Sequence, residues 1–123
     1  MLAQYLDLTN EFNHESGVGY VEFEVSNYDY AIVQLEGLDE PALIKATIDS
    51  GAIQSVTDGN VLTSDNYFPI YVTSIYDGIV QIGDTGLGDG LYRIDIVGRY
   101  IKISSATNLS ASGKLLVMLA KIS

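Results

Sequence analysis

The sharpest pattern in the chain is the strict alternation at residues 19–25, Gly-Tyr-Val-Glu-Phe-Glu-Val, with Tyr20, Glu22 and Glu24 on one face and Val21, Phe23 and Val25 on the other. A period of two marks a half-buried strand, because successive side chains leave a pleated backbone on opposite sides. The pattern returns at residues 91–97, where Leu91, Arg93, Asp95 and Val97 alternate with Tyr92, Ile94 and Ile96. Strand-length apolar stretches also occur at 30–36, 42–48, 52–56, 70–75, 79–82, 99–104 and 114–122. Turn residues separate them: Asn27-Tyr28-Asp29, Gly37 with the 38–41 turn, Asp49-Ser50-Gly51, Asp58-Gly59-Asn60, Asp77-Gly78 and Gly98. Asp and Gly favour such places because Asp bonds nearby backbone and Gly adopts positive φ without steric cost.

Residues 61–68 read as irregular and residues 106–113 as a polar loop. Residues 83–90, Gly-Asp-Thr-Gly-Leu-Gly-Asp-Gly, read as the most flexible stretch, a long hairpin loop. The helix candidate is residues 2–8, whose apolar Leu2, Tyr5 and Leu6 suit a helix no better than an extended chain. Recurrent short strands with scarce helix signals predict an all-β fold, an antiparallel β-sandwich of jelly-roll type with eight to nine short strands. Residues 1–16 read as an N-terminal arm and residues 17–123 as a single β-sandwich domain.

Composition narrows the function classes. The 123 residues contain no Cys, no Trp and one His. Disulfides, thiolate metal sites, a Cys nucleophile and multi-His metal sites are excluded. Sixteen acids against six Lys and Arg give a net charge of −10. That balance argues against nucleic acid, whose phosphates call for clustered cations. No apolar run approaches the roughly 20 residues that span a bilayer as a helix. Residues 1–9 lack the basic and apolar regions of a secretory signal, which leaves the glycosylation sequon Asn108-Leu109-Ser110 without weight. The mean hydropathy of +0.20 is high for an acidic 13.3 kDa domain, so apolar surface is expected in a packed core or a subunit interface. The charge is uneven: residues 1–92 hold fifteen acids and Lys45, while residues 93–123 hold Asp95 against five bases. Either the two segments pair as neighbouring strands, or acidic and basic faces of different subunits meet.

Candidate chemistry is thin. His14 lies in a polar stretch with no nucleophile motif beside it, so a solvated loop residue is expected. Most of the acids lie at turns, and no pair is marked out for glycoside hydrolysis. The Gly-rich stretch 83–90 lacks the Lys of a phosphate loop, and Asp84 and Asp89 do not follow a calcium-loop pattern. The nine Tyr raise surface or sugar recognition, since Tyr gives contact area at low entropic cost. Tyr71 and Tyr76 point to opposite faces of a strand. The expectation is a protein without catalysis and with no cofactor or metal.

The C-terminal third carries a family-like pattern. Leu91-Tyr92-Arg93-Ile94-Asp95-Ile96-Val97-Gly98-Arg99-Tyr100-Ile101-Lys102-Ile103 is followed by Ser112-Gly113-Lys114-Leu115-Leu116-Val117. It resembles the strand, Gly turn, strand and final Ser-Gly strand of small β-sandwich virion proteins of tailed bacteriophages. Residues 20–25, 30–37 and 47–51 stand where such proteins have their early strands and a hairpin. The acidic N-terminal half and Phe68-Pro69 depart from the pattern. The resemblance implies a virion structural role, foremost a capsid decoration (cement) or auxiliary protein, assembled in the host cytoplasm. It would dock on capsid or other virion proteins as a homo-oligomer, with a trimer as the candidate stoichiometry, and without nucleic-acid or membrane partners. Partner-binding candidates are Leu2, Tyr5 and Leu6 in the arm, Tyr71 and Tyr76 in the Tyr-rich region, and the cations Arg93, Arg99 and Lys102. The alternative is a tail- or fibre-associated or carbohydrate-binding β-sandwich using the Tyr-rich region.

Overall fold

The alternating stretches pair into two antiparallel sheets that close over one apolar core. The computed structural model describes residues 2–48, 67–96 and 98–122. Within them lie ten strands and one helical turn. These are β1 (Leu2–Asp7), α1 (Thr9–Phe12), β2 (Gly19–Glu24), β3 (Tyr30–Leu38), β4 (Ala42–Thr47), β5 (Phe68–Pro69), β6 (Tyr71–Ser74), β7 (Val80–Ile82), β8 (Gly90–Asp95), β9 (Tyr100–Ser105) and β10 (Leu109–Lys121). The larger sheet has the order β1-β10-β3-β8-β6-β7 and the smaller β2-β9-β4-β5.

That order is a jelly roll with one added hairpin. Without β6 and β7, the chain pairs as a nested hairpin, β1 with β10, β2 with β9, β3 with β8 and β4 with β5. Rolling that hairpin over itself adds the β10–β3 and β9–β4 ladders, which is how a jelly roll forms two sheets from one chain. The β6–β7 hairpin then widens the larger sheet by pairing β6 with β8. The nesting also sets part of the basic end beside acidic strands, although Lys102 faces Lys45 as well. The basic strand β10 lies between β1 and β3, and β9 lies between β2 and β4, so Lys102 faces Glu22 and Lys114 faces Glu36 across the ladders.

The inward faces meet in the middle. Ala31, Val33, Leu35, Ile94, Leu115, Val117 and Leu119 of the larger sheet oppose Val21, Phe23, Ala42, Ile44, Ile101 and Ile103 of the smaller. Each large side chain removed from water in this way contributes about 1.5–3 kcal/mol. Phe12 is fully buried and abuts Gly19, where any Cβ would run into its ring. A four-residue helix has no stability of its own; here Phe12 pins the turn to the core.

Several expectations change. Residues 2–8 are not helical: Leu2–Asp7 is a strand laid antiparallel on β10. The stretch read as an arm thus contributes, from residue 2, an edge strand and a helical turn to the same body. Part of the 106–113 loop belongs to β10, whose register slips between Leu109 and Lys114 as a bulge. Residues 83–90 are tied down along their length. Gly83 N–H donates to the Ile70 carbonyl, Ile44 N–H donates to the Gly83 carbonyl, and Leu87 and Ala42 exchange two bonds. Leu87 is fully buried. The expected strand at 52–56, the turns at 49–51 and 58–60, the irregular residues 61–66 and Val97 lie outside the described residues.

Candidate functional site

A strand alternates between its two faces, and in the larger sheet both faces carry apolar residues. On the outer face the register lines up Tyr5, Met118, Ile32, Arg93, Thr73 and Val80 in one row across all six strands. Leu116 and Leu91 flank Gln34 in a neighbouring row. Within this sheet the most exposed apolar side chains lie toward its two ends, while Ile48 and Phe68 are 77% and 66% exposed at the smaller sheet. Leu2 and Tyr5 are 68% and 76% exposed on β1. On the β6–β7 side Tyr71, Ile79 and Val80 are more than half exposed, and Tyr76 at the hairpin is 95% exposed. The two groups are separated by about 24 Å, five strand spacings of roughly 4.8 Å.

The edges of the two sheets differ. In the smaller sheet, β5 is two residues long and contains Pro69, and β2 carries Glu22 and Glu24. Short length, Pro and charge are the usual devices that keep a sheet edge from pairing with another chain. In the larger sheet, β1 reads Leu-Ala-Gln-Tyr-Leu-Asp and β7 reads Val-Gln-Ile, with neither Pro nor Lys. Charges bracket these edges. Lys121 stands opposite Leu2, and Lys114 acts electrostatically on Asp7. Asp77 precedes β7 and Asp84 follows it.

The sequence-derived candidates therefore fall in four places. Tyr5 is exposed on the outer face of β1, whereas Leu2 and Leu6 share its inner face, Leu2 exposed at the strand's start and Leu6 packed against the core. Tyr71 and Tyr76 lie near the opposite edge. Arg93 lies between them on the outer face, with its Nε donating to Asp95 Oδ1 at 3.1 Å and its guanidinium 4.2 Å from the Tyr30 ring centroid. Beside it runs a groove of about 520 Å³ lined by Pro69, Ile70, Tyr71, Thr73, Val80 and Asp95. Arg99 and Lys102 belong to the smaller sheet. The Arg99 Nε is 3.6 Å from Glu24, and its guanidinium lies over Tyr100.

Lys102 belongs to a polar cluster on the outer face of the smaller sheet that periodicity alone does not reveal. The Tyr67 hydroxyl donates to Glu22 Oε2 at 2.7 Å, while Glu22 Oε1 is buried without a partner. Glu22 lies on one edge strand and Tyr67 leads into the other, so the contact clasps the sheet from side to side. Burial pushes the Glu22 carboxyl above the ordinary range, against the Tyr67 hydrogen bond and the Lys102 charge. Burial, then the hydrogen bond from Tyr67 to Glu22, pushes the Tyr67 phenol up. Burial pushes Lys102 down despite Glu22; its Nζ lies 5.7 Å from the Tyr20 ring and 5.8 Å from the Tyr67 ring. The signals were present: a Glu within the alternating strand and a Tyr in an irregular segment. What pairs them is the roll of the chain.

The remaining chemistry-bearing residues hold the fold. His14 stacks on Tyr20 at 3.9 Å and its Nε2 is 2.9 Å from the Tyr20 carbonyl. It is half-buried and bonded, not the solvated loop residue expected. Asn108 accepts from His14 N–H and donates to the His14 carbonyl. The two Asp89 oxygens accept from the Gly37 and Leu38 amides. Among the described residues no three His, Cys, Asp or Glu converge as a metal would require.

The sequence matches no known family and no curated protein. Its fold is shared by the crystal structure of the SPBc2 prophage-derived protein YomS, with a TM-score of 0.58 and 12% identity over 97% of this chain and 95% of that one.

Proposed function

We propose that the chain is a structural component of a phage particle, a capsid decoration or auxiliary protein that docks on capsid subunits and stabilises their junctions without catalysis. One observation carries this reading: among the described residues, exposed apolar side chains gather at both ends of the larger sheet, Leu2 and Tyr5 on β1 and Tyr71, Tyr76, Ile79 and Val80 about β6 and β7, with Ile48 and Phe68 exposed at the smaller sheet. Exposed apolar clusters at open strand edges suit protein partners. The prophage origin of a protein with the same fold supports the setting, and the acidic charge disfavours a nucleic-acid partner. In this reading the protein is a homo-oligomer located in the virion. Mass spectrometry of density-banded phage particles whose genome carries the gene tests it. Peptides of this chain should band with the heads after tails are removed. Their absence from the particles would overturn the proposal, and their presence in tails alone would move the protein to the tail or fibre.

The groove beside Arg93 favours a second reading, glycan binding. It joins an exposed aromatic face, Tyr71, to the hydrogen-bonding pair Arg93 and Asp95, a combination that suits a sugar ring and its hydroxyls. A glycan array should then show hits that Tyr71→Ala loses; an array without hits removes this reading.

A further inference from the structure

We propose that the groove beside Arg93 takes a neutral sugar, one pyranose ring seated on the Tyr71 ring with its hydroxyls held by Arg93 and Asp95. This rests on the glycan reading above and deepens it by naming the class of sugar and the part each residue plays. The strand register assembles the site. Thr73 stands opposite Arg93, and the same register carried two residues further sets Tyr71 opposite Asp95. The four side chains therefore share the outer face of the larger sheet, as two facing pairs on strands about 4.8 Å apart. The groove of about 520 Å³ falls within the range of small-molecule sites, roughly 300–1,000 Å³. Its wall comes from the chain's passage between sheets: Phe68–Pro69 pairs with β4 of the smaller sheet, and after Ile70 the chain enters β6 of the larger.

The site is set in place before a ligand enters. The Arg93 Nε donates to Asp95 Oδ1 at 3.1 Å, and the guanidinium lies 4.2 Å from the Tyr30 ring centroid. With two anchors on a long side chain, little further entropy is lost on binding. Tyr71 is 69% exposed, and the side chains of Arg93 and Asp95 are 46% and 78% exposed, so all three can reach a ligand. A sugar ring laid on Tyr71 covers aromatic surface that otherwise meets water. Arg93 offers N–H donors and Asp95 a carboxylate acceptor side by side. That pair complements neighbouring sugar hydroxyls, each of which both donates and accepts. Charge decides the class of sugar. Arg93 and Asp95 offset one another, and the other lining residues, Pro69, Ile70, Tyr71, Thr73 and Val80, are uncharged. A sugar carboxylate would meet a cation already paired and the Asp95 carboxylate beside it, an arrangement that selects against acidic sugars.

A glycan array followed by calorimetric titration tests this. The wild-type chain should bind glycans that end in neutral hexoses and pass over those that end in uronic or sialic acids. Its affinity for the best neutral glycan should be the same in low and high salt, because no net charge is paired. Tyr71→Ala should weaken that affinity about tenfold. Asp95→Asn leaves the Arg93 charge without its partner and should raise binding of acidic glycans relative to neutral ones about threefold, a change of preference that a damaged fold would not produce. Circular dichroism checks that both variants keep the fold. Acidic glycans bound as well as neutral ones, an affinity that falls with salt, undiminished binding by Tyr71→Ala, or an unchanged preference in Asp95→Asn would each overturn the proposal, while the array hits themselves keep glycan binding. An array without hits removes both.

Discussion

The two sheets of this sandwich share one core and meet solvent in opposite ways. The smaller sheet turns outward a charged face held by a clasp from Tyr67 to Glu22, and its edges carry Pro69, Glu22 and Glu24. The larger sheet turns outward Tyr5, Met118, Ile32, Leu91 and Val80, and its edge strands carry neither Pro nor Lys, their protection being the three-residue length of β7 and Asp7 at the end of β1. Alternating strands alone would make the two sheets equivalent. The difference shows that burial on one face is set by folding, while the other face is free to serve solubility or assembly. The added β6–β7 hairpin contributes one of the larger sheet's two edges that no described strand covers, so the fold's departure from the plain jelly roll falls where assembly is proposed.

The largest expected effects are on the shared inner faces. Ile44→Ala in the smaller sheet and Leu115→Ala in the larger both empty fully buried positions. Each should cost about 2–5 kcal/mol in denaturant unfolding. A cost near zero for one of them would break the claim that the two sheets rest on one core. The outer faces should then separate. Tyr67→Phe removes the donor to Glu22, whose other oxygen is already unpartnered, and should cost about 1–3 kcal/mol. Tyr76→Ser on the hairpin of the larger sheet, at a side chain 95% exposed, should change the stability of the isolated chain by no more than about 0.5 kcal/mol. Equal costs would erase the contrast.

The smallest effect concerns pH. Burial raises the Glu22 carboxyl above the ordinary value of 4.5, so the folded state holds the proton more tightly than the unfolded chain does. The ionised group therefore costs stability at neutral pH, and the cost is relieved as pH falls through the folded value toward 4.5. Asp7 has the opposite sign. Hydrogen bonds from Thr9 lower it, so its contribution is present above the ordinary carboxylate range and is lost on further acidification. The Tm of the wild-type chain relative to Glu22→Gln should rise modestly between pH 7 and 5, by well under about 1 kcal/mol in free energy because Glu22 is half in solvent. A relative fall over that range would contradict the assignment.

Much of the fold is legible in the sequence. The alternation at residues 19–25 and 91–97 sets the faces of β2 and β8, and Asp77-Gly78 marks the β6–β7 turn. Gly78 has a φ of 72°. The local pattern does not encode long-range pairing. Leu2 to Asp7 satisfies a helical or an extended spacing equally well, and the ladder with β10, more than one hundred residues away, decides between them. The Gly-rich stretch looks mobile because its composition is permissive. Its order comes from β4 and Ile70, which take its backbone bonds. For the candidate site, Leu2, Tyr5, Tyr71 and Tyr76 are legible as exposed apolar residues. Their division between opposite edges follows from strand order, which composition and periodicity do not contain. Strand order also sets the place of Leu6, which on β1 opposes Val117 and shares that residue's inward face.

Amide hydrogen exchange on the wild-type chain, over a range of protein concentrations, tests the contrast between the two sheets most directly. The account predicts that the ends of the larger sheet, β1 and the β6–β7 hairpin, are protected at high concentration and lose that protection on dilution, while the amides of β2 exchange at the same rate throughout. Equal and concentration-independent exchange at all these strands would contradict it.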